Sequence, residues 1–365
     1  MTSSINKAIA ALSKHHLDAL VLNPGPTQFY FSGLHLHLSE RPMCLFLLPD
    51  KAPAIVLPAF EREQLANTSL AMQAFFYDDD PAGWQRAFTD AAAYGNLAGK
   101  TIGIEPTQMR YLEMQYIQQA AADLTFTSAA DLIASLRMHK DASEQAAMQA
   151  AVNLSEQALR SSLAQFQPHM TEKKFANVLL MQMLQAGAEG LSFGSIVAGG
   201  PNSANPHATP TDRPIQPGDL LVIDYGAKVD GYCADITRTF AIGQIDPELV
   251  KIHEVTQAAN AAAREYARPG VTAQSVDQAA RSVIEQAGYG PYFTHRLGHG
   301  LGLEGHEPPY IHGGNPLILQ PGMTFTIEPG IYLPGKGGVR MEDDVIITPD
   351  GCLSLTTFPR ELITL

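Results

Sequence analysis

The chain has 365 residues, 45% of them hydrophobic, and 24 Lys and Arg against 37 Asp and Glu give a formal net charge of −13. That length suits two domains with a core each, and the negative charge argues against nucleic acid or an anionic membrane as the main partner. Cys44, Cys233 and Cys352 are too scattered for a disulfide framework and fit a reducing cytoplasm, while the N-terminus lacks the apolar core of a signal peptide and no run is long enough to span a membrane.

Residues 1–132 alternate between helix-like and strand-like segments. An amphipathic helix is predicted over Ser4 to Lys14, then a strand over Leu17 to Leu22, stopped by Asn23-Pro-Gly-Pro26. Met43 to Leu48, Ala54 to Leu57 and Thr101 to Ile104 predict further apolar strands, with helices near 60–67, 81–94 and 107–122. The alternation predicts a small α/β domain with a covered sheet. His35 and His37 alternate with leucines, which predicts a strand or loop with one polar face.

The domain boundary is placed at 132/133, and the second domain runs over 133–365. Asp141-Ala-Ser-Glu144 predicts a capping box opening a helix to about Gln165. Thr171 caps a second helix through Ala186, and Val250 to Arg268 and Ala273 to Ala287 predict two more. Between the pairs lies a Gly/Asn/Pro-rich stretch, Ser192 to Pro210, with His207 among prolines. Gly300-Leu-Gly302-Leu-Glu-Gly305 formally matches a dinucleotide fingerprint, but Glu-Pro-Pro follows almost at once where a helix is needed.

The chemistry is concentrated in the last 145 residues. Asp224 ends the apolar run Leu-Val-Ile, and Glu328 ends Phe-Thr-Ile. Asp235 follows Asp224 by 11 residues across a Val-Asp-Gly-Tyr turn, and Glu342 follows Glu328 by 14 across Pro-Gly-Lys-Gly-Gly. Each pair predicts a β-hairpin with one carboxylate per strand, and two like hairpins predict two related halves with a site at their junction. Buried carboxylates near one another repel unless cations neutralise them. Four of them with His299 suit two divalent ions, and the oxygen-rich set favours Mn²⁺, with Co²⁺ or Zn²⁺ possible.

The order Asp224, Asp235, His299, Glu328, Glu342 resembles the pita-bread metallopeptidases. The stretches Asn205 to Pro210, Gly298-His-Gly300, Gly305-His-Glu307, Ile327 to Gly330, Val339 to Asp343 and Phe358 to Leu362 resemble the Xaa-Pro branch, prolidase and aminopeptidase P. The resemblance implies a creatinase-like α/β N-terminal domain and an α+β pita-bread catalytic domain with pseudo-twofold halves. It implies that Asp224 holds one metal, His299 and Glu328 the other, with Asp235 and Glu342 bridging both and a bridging water attacking the scissile carbonyl. His306 would serve proton transfer. His207 and His295 would shape the pocket and stabilise developing charge, Arg340 would orient carboxylates or substrate, and Thr237 would support the site. The implied substrate is a proline-containing di- or oligopeptide, and the implied working form is a homodimer, in which His37 would approach the partner's site. Two residues depart from the pattern: Gly194 stands where the family often has Asp, and Tyr310 stands where several prolidases have Arg. A catalytically altered homologue acting on another substrate, or as a binding protein, is the competing reading.

Overall fold

The computed structural model describes residues 3–66, 68 and 70–365. The chain divides into two compact units, Met1–Arg137 and Met138–Leu365.

The first unit is built on a six-stranded sheet. Ala19–Leu22 lies near its middle, antiparallel to Cys44–Leu47 and parallel to Thr101–Ile104. All residues of Ala19–Leu22, Cys44–Leu47 and Ala54–Pro58 are buried, so these strands carry continuous apolar runs. Two edge strands, Gln73–Tyr77 and Thr125–Ser128, escaped the sequence reading. Both are partly exposed, and pairing with a neighbour defines them more than their own pattern does. A further helix, Pro26–Ser32, starts where a stop was expected, because Pro26 sits at its first turn, where its missing N–H costs nothing. The helix expected near 60–67 is a short 3₁₀ turn followed by Arg62–Ala66, and its expected end at Asn67 lies outside the described residues. His35 and His37 lie exposed on an irregular segment, on either side of buried Leu36.

The second unit repeats one plan. In its first half, helices Ala142–Leu163 and Glu172–Gln185 precede the strand pair Leu220–Tyr225 and Ile236–Ala241. In its second half, helices Pro247–Tyr266 and Ala273–Gln286 precede Thr324–Ile327 and Asp343–Thr348. The capping box at Asp141 is formed, its carboxylate accepting from Ser143 N and Glu144 N. The two halves join where Glu342 N donates to Thr237 O at 3.1 Å. One core packs mainly under the first hairpin, around Phe175, Leu179, Ile223 and Phe240. A second packs under the other, around Ile252, Val276, Phe325 and Val345. No helix among the described residues is long and apolar enough to cross a membrane.

Candidate metal centre and active site

The hairpin tips differ from the simple picture of one carboxylate within each strand. Asp224 does lie inside Leu220–Tyr225, opposite Thr237. Asp235 sits in the gap between the small hairpin Ala227–Val229/Tyr232–Cys233 and the strand starting at Ile236. That small hairpin turns on Asp230 (φ 49°) and Gly231 (φ 77°), the left-handed pair that a tight two-residue turn requires. Glu328 and Glu342 lie in the corresponding gap of the second half, between Thr324–Ile327/Asp343–Thr348 and Gly330–Leu333/Gly337–Arg340. At such a break the regular alternation of the hairpin is interrupted, so the side chain can turn into the cavity. His299 lies on the three-residue strand Gly298–Gly300. A Cβ on Gly298 would fall 1.9 Å from Thr326 O, and one on Gly300 2.3 Å from Pro308 O, so only glycine admits the two flanking strands there.

The five residues converge. Ligand atoms of Asp224, Asp235 and Glu342 lie within 4.8 Å of one another, as do those of His299, Glu328 and Glu342. His306 forms a third such group with Asp235 and His299. A cavity of about 620 Å³ opens onto the cluster and is also lined by His207, His295, Arg296 and Arg340. Gly194 lines it too, with open space where a Cβ would stand.

Burial, reinforced by the Glu342 carboxylate, pushes the Asp235 pKa well above the usual carboxylate range. Burial and the Glu328 and Asp224 carboxylates do the same to Glu342. Burial raises Glu328 to about 8. Asp224 Oδ1 is buried without a hydrogen-bond partner. Burial, then the neighbouring His306, drives the His299 pKa well down, so its ring is neutral. Its Nδ1 lies 3.1 Å from Gly300 O, an acceptor only, which places the ring proton on Nδ1. The Nε2 lone pair then faces Glu328 Oε1 at 3.4 Å and Asp235 Oδ2 at 3.7 Å. Acceptors facing acceptors in a buried pocket fit divalent cations, and the one-nitrogen, four-carboxylate set fits hard or borderline ions.

The supporting residues form a chain. Arg340 Nη2 donates to Asp224 Oδ2 at 2.5 Å and Nε to Thr237 Oγ1 at 3.1 Å, while Nη1 reaches Tyr332 OH at 3.0 Å and Pro206 O at 3.2 Å. Thr237 Oγ1 donates in turn to Glu342 Oε2 at 2.6 Å. Every nitrogen of Arg340 therefore bonds to the protein, and its Nη2 orients the Asp224 carboxylate. His295, which lines the cavity, is held in a similar way. Its Nδ1 lies 2.8 Å from Arg296 O and its Nε2 2.9 Å from Tyr332 OH. Burial lowers its pKa to about 4, so the neutral ring donates from Nδ1 and accepts from Tyr332 at Nε2. No N–H remains to stabilise developing charge, and its effect passes through Tyr332. His207 and His306 stand exposed at the cavity. The His306 ring lies 3.8 Å from that of His299, centroid to centroid.

Several supporting residues escaped the sequence reading. Glu172, fully buried, accepts from Gly199 N, Thr211 N and Thr211 Oγ1 and so pins both ends of the His207 loop. Asp344 Oδ2 accepts from Asp235 N at 3.0 Å and fixes the backbone of that ligand candidate. Both partners are distant in sequence, and neither position bears a local signal beyond a charge in an apolar stretch.

The model of metallopeptidase family M24 matches residues 146–349, more than half of the chain. The chain belongs to metallopeptidase family M24. Within this family it carries the creatinase/prolidase N-terminal domain over residues 5–139. It is 36% identical to a Xaa-Pro dipeptidase of Lactobacillus helveticus over 346 residues, 94% of each chain. A dipeptidase structure from Pyrococcus horikoshii superposes with a TM-score of 0.94 at 38% identity, covering 99% of this chain and 100% of that one. A prolidase structure from Thermococcus sibiricus gives 0.92 at 34% identity, covering 100% and 98%. The protein is thus an M24 metallopeptidase, with a creatinase-type α/β domain followed by a pita-bread catalytic domain.

Proposed function

We propose that this M24 peptidase removes the residue that precedes proline at the N-terminus of a di- or oligopeptide, using two divalent ions. The observation that carries this is the convergence of Asp224, Asp235, His299, Glu328 and Glu342 at the floor of one cavity, with His207 and His306 at its side. The names of the relatives support the Xaa-Pro bond as the substrate. Asp224 would hold one ion, His299 and Glu328 the other, and Asp235 and Glu342 would bridge, with Mn²⁺ the favoured ion for so many carboxylates. Bound there, the pair would supply Lewis-acid polarisation and an acidified water.

The protein's own part is positional. Thr237, Arg340 and Tyr332 hold the carboxylates in place, so little reorganisation is needed when substrate binds. Partial burial and then Arg296 lower the His306 pKa. Arg296 Nη2 lies 3.4 Å from His306 Nδ1, and Arg is a donor only, so the His306 proton sits on Nε2. That N–H is the group we assign to proton transfer at the scissile bond. Buried free Cys44 and Cys233 suit a cytoplasmic protein, and by resemblance the working form is a homodimer.

The direct test is hydrolysis of Ala-Pro beside Ala-Pro-Ala by protein stripped with chelator and refilled with Mn²⁺. Cleavage of either at the Xaa-Pro bond supports the reading; cleavage of neither, with metal bound, overturns it. His306→Ala is expected to slow turnover by about 10²–10⁴-fold with metal content unchanged. Loss of metal instead would make His306 a ligand, in keeping with its place beside Asp235 and His299.

A further inference from the structure

His306, the group assigned to proton transfer, follows the turn Gly300-Leu-Gly302-Leu-Glu-Gly305 and stands exposed at the cavity. An exposed side chain just after glycines depends for its aim on what holds the backbone on either side. Upstream, Leu301 O accepts from Thr324 Oγ1 at 2.9 Å and Gly302 O accepts from Cys233 N at 2.7 Å. Downstream the hold falls on the very next residue, Glu307, which opens the strand Glu307–Ile311. Its Oε2 accepts from Glu304 N at 3.4 Å, inside the turn, and its Oε1 accepts from Lys140 Nζ at 2.7 Å. The Lys140 and Glu307 side chains are 1% and 3% exposed. Lys140 is itself tied down: its N donates to Gly322 O at 2.9 Å, and its O accepts from Gln145 Nε2 at 2.8 Å. Gly302 packs directly on the pair, since a Cβ there would fall 2.8 Å from Glu307 Oε1 and 2.9 Å from Lys140 Cε. The formal dinucleotide fingerprint thus serves packing, Gly300 against Pro308 O and Gly302 against this ion pair.

Two buried charges are a poor choice for stability alone, because an apolar pair of the same volume commonly folds as well. What the pair adds is a short, directed bond of fixed length, one residue from His306. Neither Lys140 nor Glu307 lines the cavity, so an effect on turnover must pass through a neighbour. We propose that Lys140 is a positioning residue for the reaction: through Glu307 it fixes the backbone that aims His306 at the scissile bond. This rests on the role given to His306 above. Because the substrate's own contacts are untouched, loss of Lys140 falls mainly on kcat.

The test is a double-mutant cycle in Mn²⁺-loaded protein: wild type, Lys140→Met, His306→Ala and the two combined. kcat and KM are measured on whichever of Ala-Pro and Ala-Pro-Ala wild type cleaves faster, with metal content and thermal melting in each variant. Lys140→Met is expected to lower kcat by about 10–100-fold, the scale of a displacement of about 1 Å at a reacting group, with KM and metal content little changed. In the His306→Ala background the same substitution should lower kcat by less than about 2-fold, because the group it aims is gone. General damage to the fold would instead lower kcat equally in both backgrounds. A second variant, Lys140→Met with Glu307→Met, removes both charges. It is expected to melt close to wild type yet turn over as slowly as Lys140→Met, since two flexible side chains fill the space without fixing a direction. The cycle is run on this pair if Lys140→Met alone does not fold. An undiminished kcat in Lys140→Met or in the pair, or an equal drop with and without His306, overturns the role of Lys140 while leaving Xaa-Pro hydrolysis standing. Wild-type turnover by His306→Ala overturns the proton-transfer role and this proposal with it. Cleavage of neither peptide by metal-loaded wild type overturns the Xaa-Pro reading itself.

Discussion

Glu342→Gln is expected to abolish peptidase activity and lower metal content, yet to stabilise the metal-free protein. Glu342 is 1% exposed and lies beside Asp224 and Asp235 on one side and His299 and Glu328 on the other. On the proposed reading it bridges both ions, so its loss weakens both. Without metal the same carboxylate is a liability, because burial and the Glu328 and Asp224 charges push its pKa well up. Gln keeps the shape and a carbonyl for Thr237 Oγ1 while removing the repulsion. Wild type at free metal about a hundred times Kd gains about 2.7 kcal/mol of stability, and the variant gains less at the same concentration. The metal-free wild type carries a matching pH signature. Glu328 is raised from 4.5 to about 8, so the native state holds a proton there that the unfolded state releases. Its contribution is present below about pH 4.5 and lost as pH rises through about 8. Thermal melts of stripped and loaded protein, with metal analysis, check all of this. Full activity with unchanged metal content in Glu342→Gln would sink the two-metal reading.

Asp343→Ala is expected to cost about 3–5 kcal/mol of stability, the price of leaving the buried Arg238 without its counter-charge. The Asp343 side chain is fully buried. Oδ1 accepts from Arg238 Nη2 at 2.7 Å, and Oδ2 accepts from Arg360 Nε at 2.8 Å with Arg264 Nε at 3.5 Å. Arg238 also donates to Phe358 O and Glu342 O, so this cluster ties the C-terminal segment to the backbone of the proposed bridging ligand. Burial alone would raise the Asp343 pKa, but Arg238 and Arg360 outweigh it and hold it below 3.8. Its stabilising contribution is therefore present above about pH 3.9 and lost as pH falls through the native value. Urea unfolding of wild type and variant from pH 7 down to pH 3 should show a gap that narrows on acidification. A gap under about 1 kcal/mol at pH 7, the usual range for surface pairs, would mean that the arginines find other partners.

Much of the site was legible in the sequence because its residues break local rules. A carboxylate ending an apolar strand, as at Asp224 and Glu328, conflicts with burial unless something compensates, and that conflict is visible without coordinates. The glycines on both sides of His299 mark a close approach of strands for the same reason. The edge strands Gln73–Tyr77 and Thr125–Ser128 broke no rule and were missed, since an edge strand is defined by the neighbour it pairs with. Glu172, Tyr332 and Asp344 were missed as supporting residues because each acts on a partner far away in sequence, such as Asp344 on Asp235 N.

Read by itself, the sequence identified the family and the pita-bread second domain through the resemblance of its motifs, while the α/β first domain and the set of charged and imidazole groups available for chemistry followed from periodicity, turn residues and misplaced charges, which are properties of short segments. Only the tertiary structure decided what each group is free to do. It brought the two hairpins together at Thr237 and Glu342. It spent both nitrogens of His295 and all three of Arg340 on the protein. It set the Arg296 guanidinium over the ring of Tyr310, 4.5 Å from its centroid. A hydrogen-bonding group can be listed from its residue type, but whether it is already occupied depends on what the fold places within about 3 Å of it.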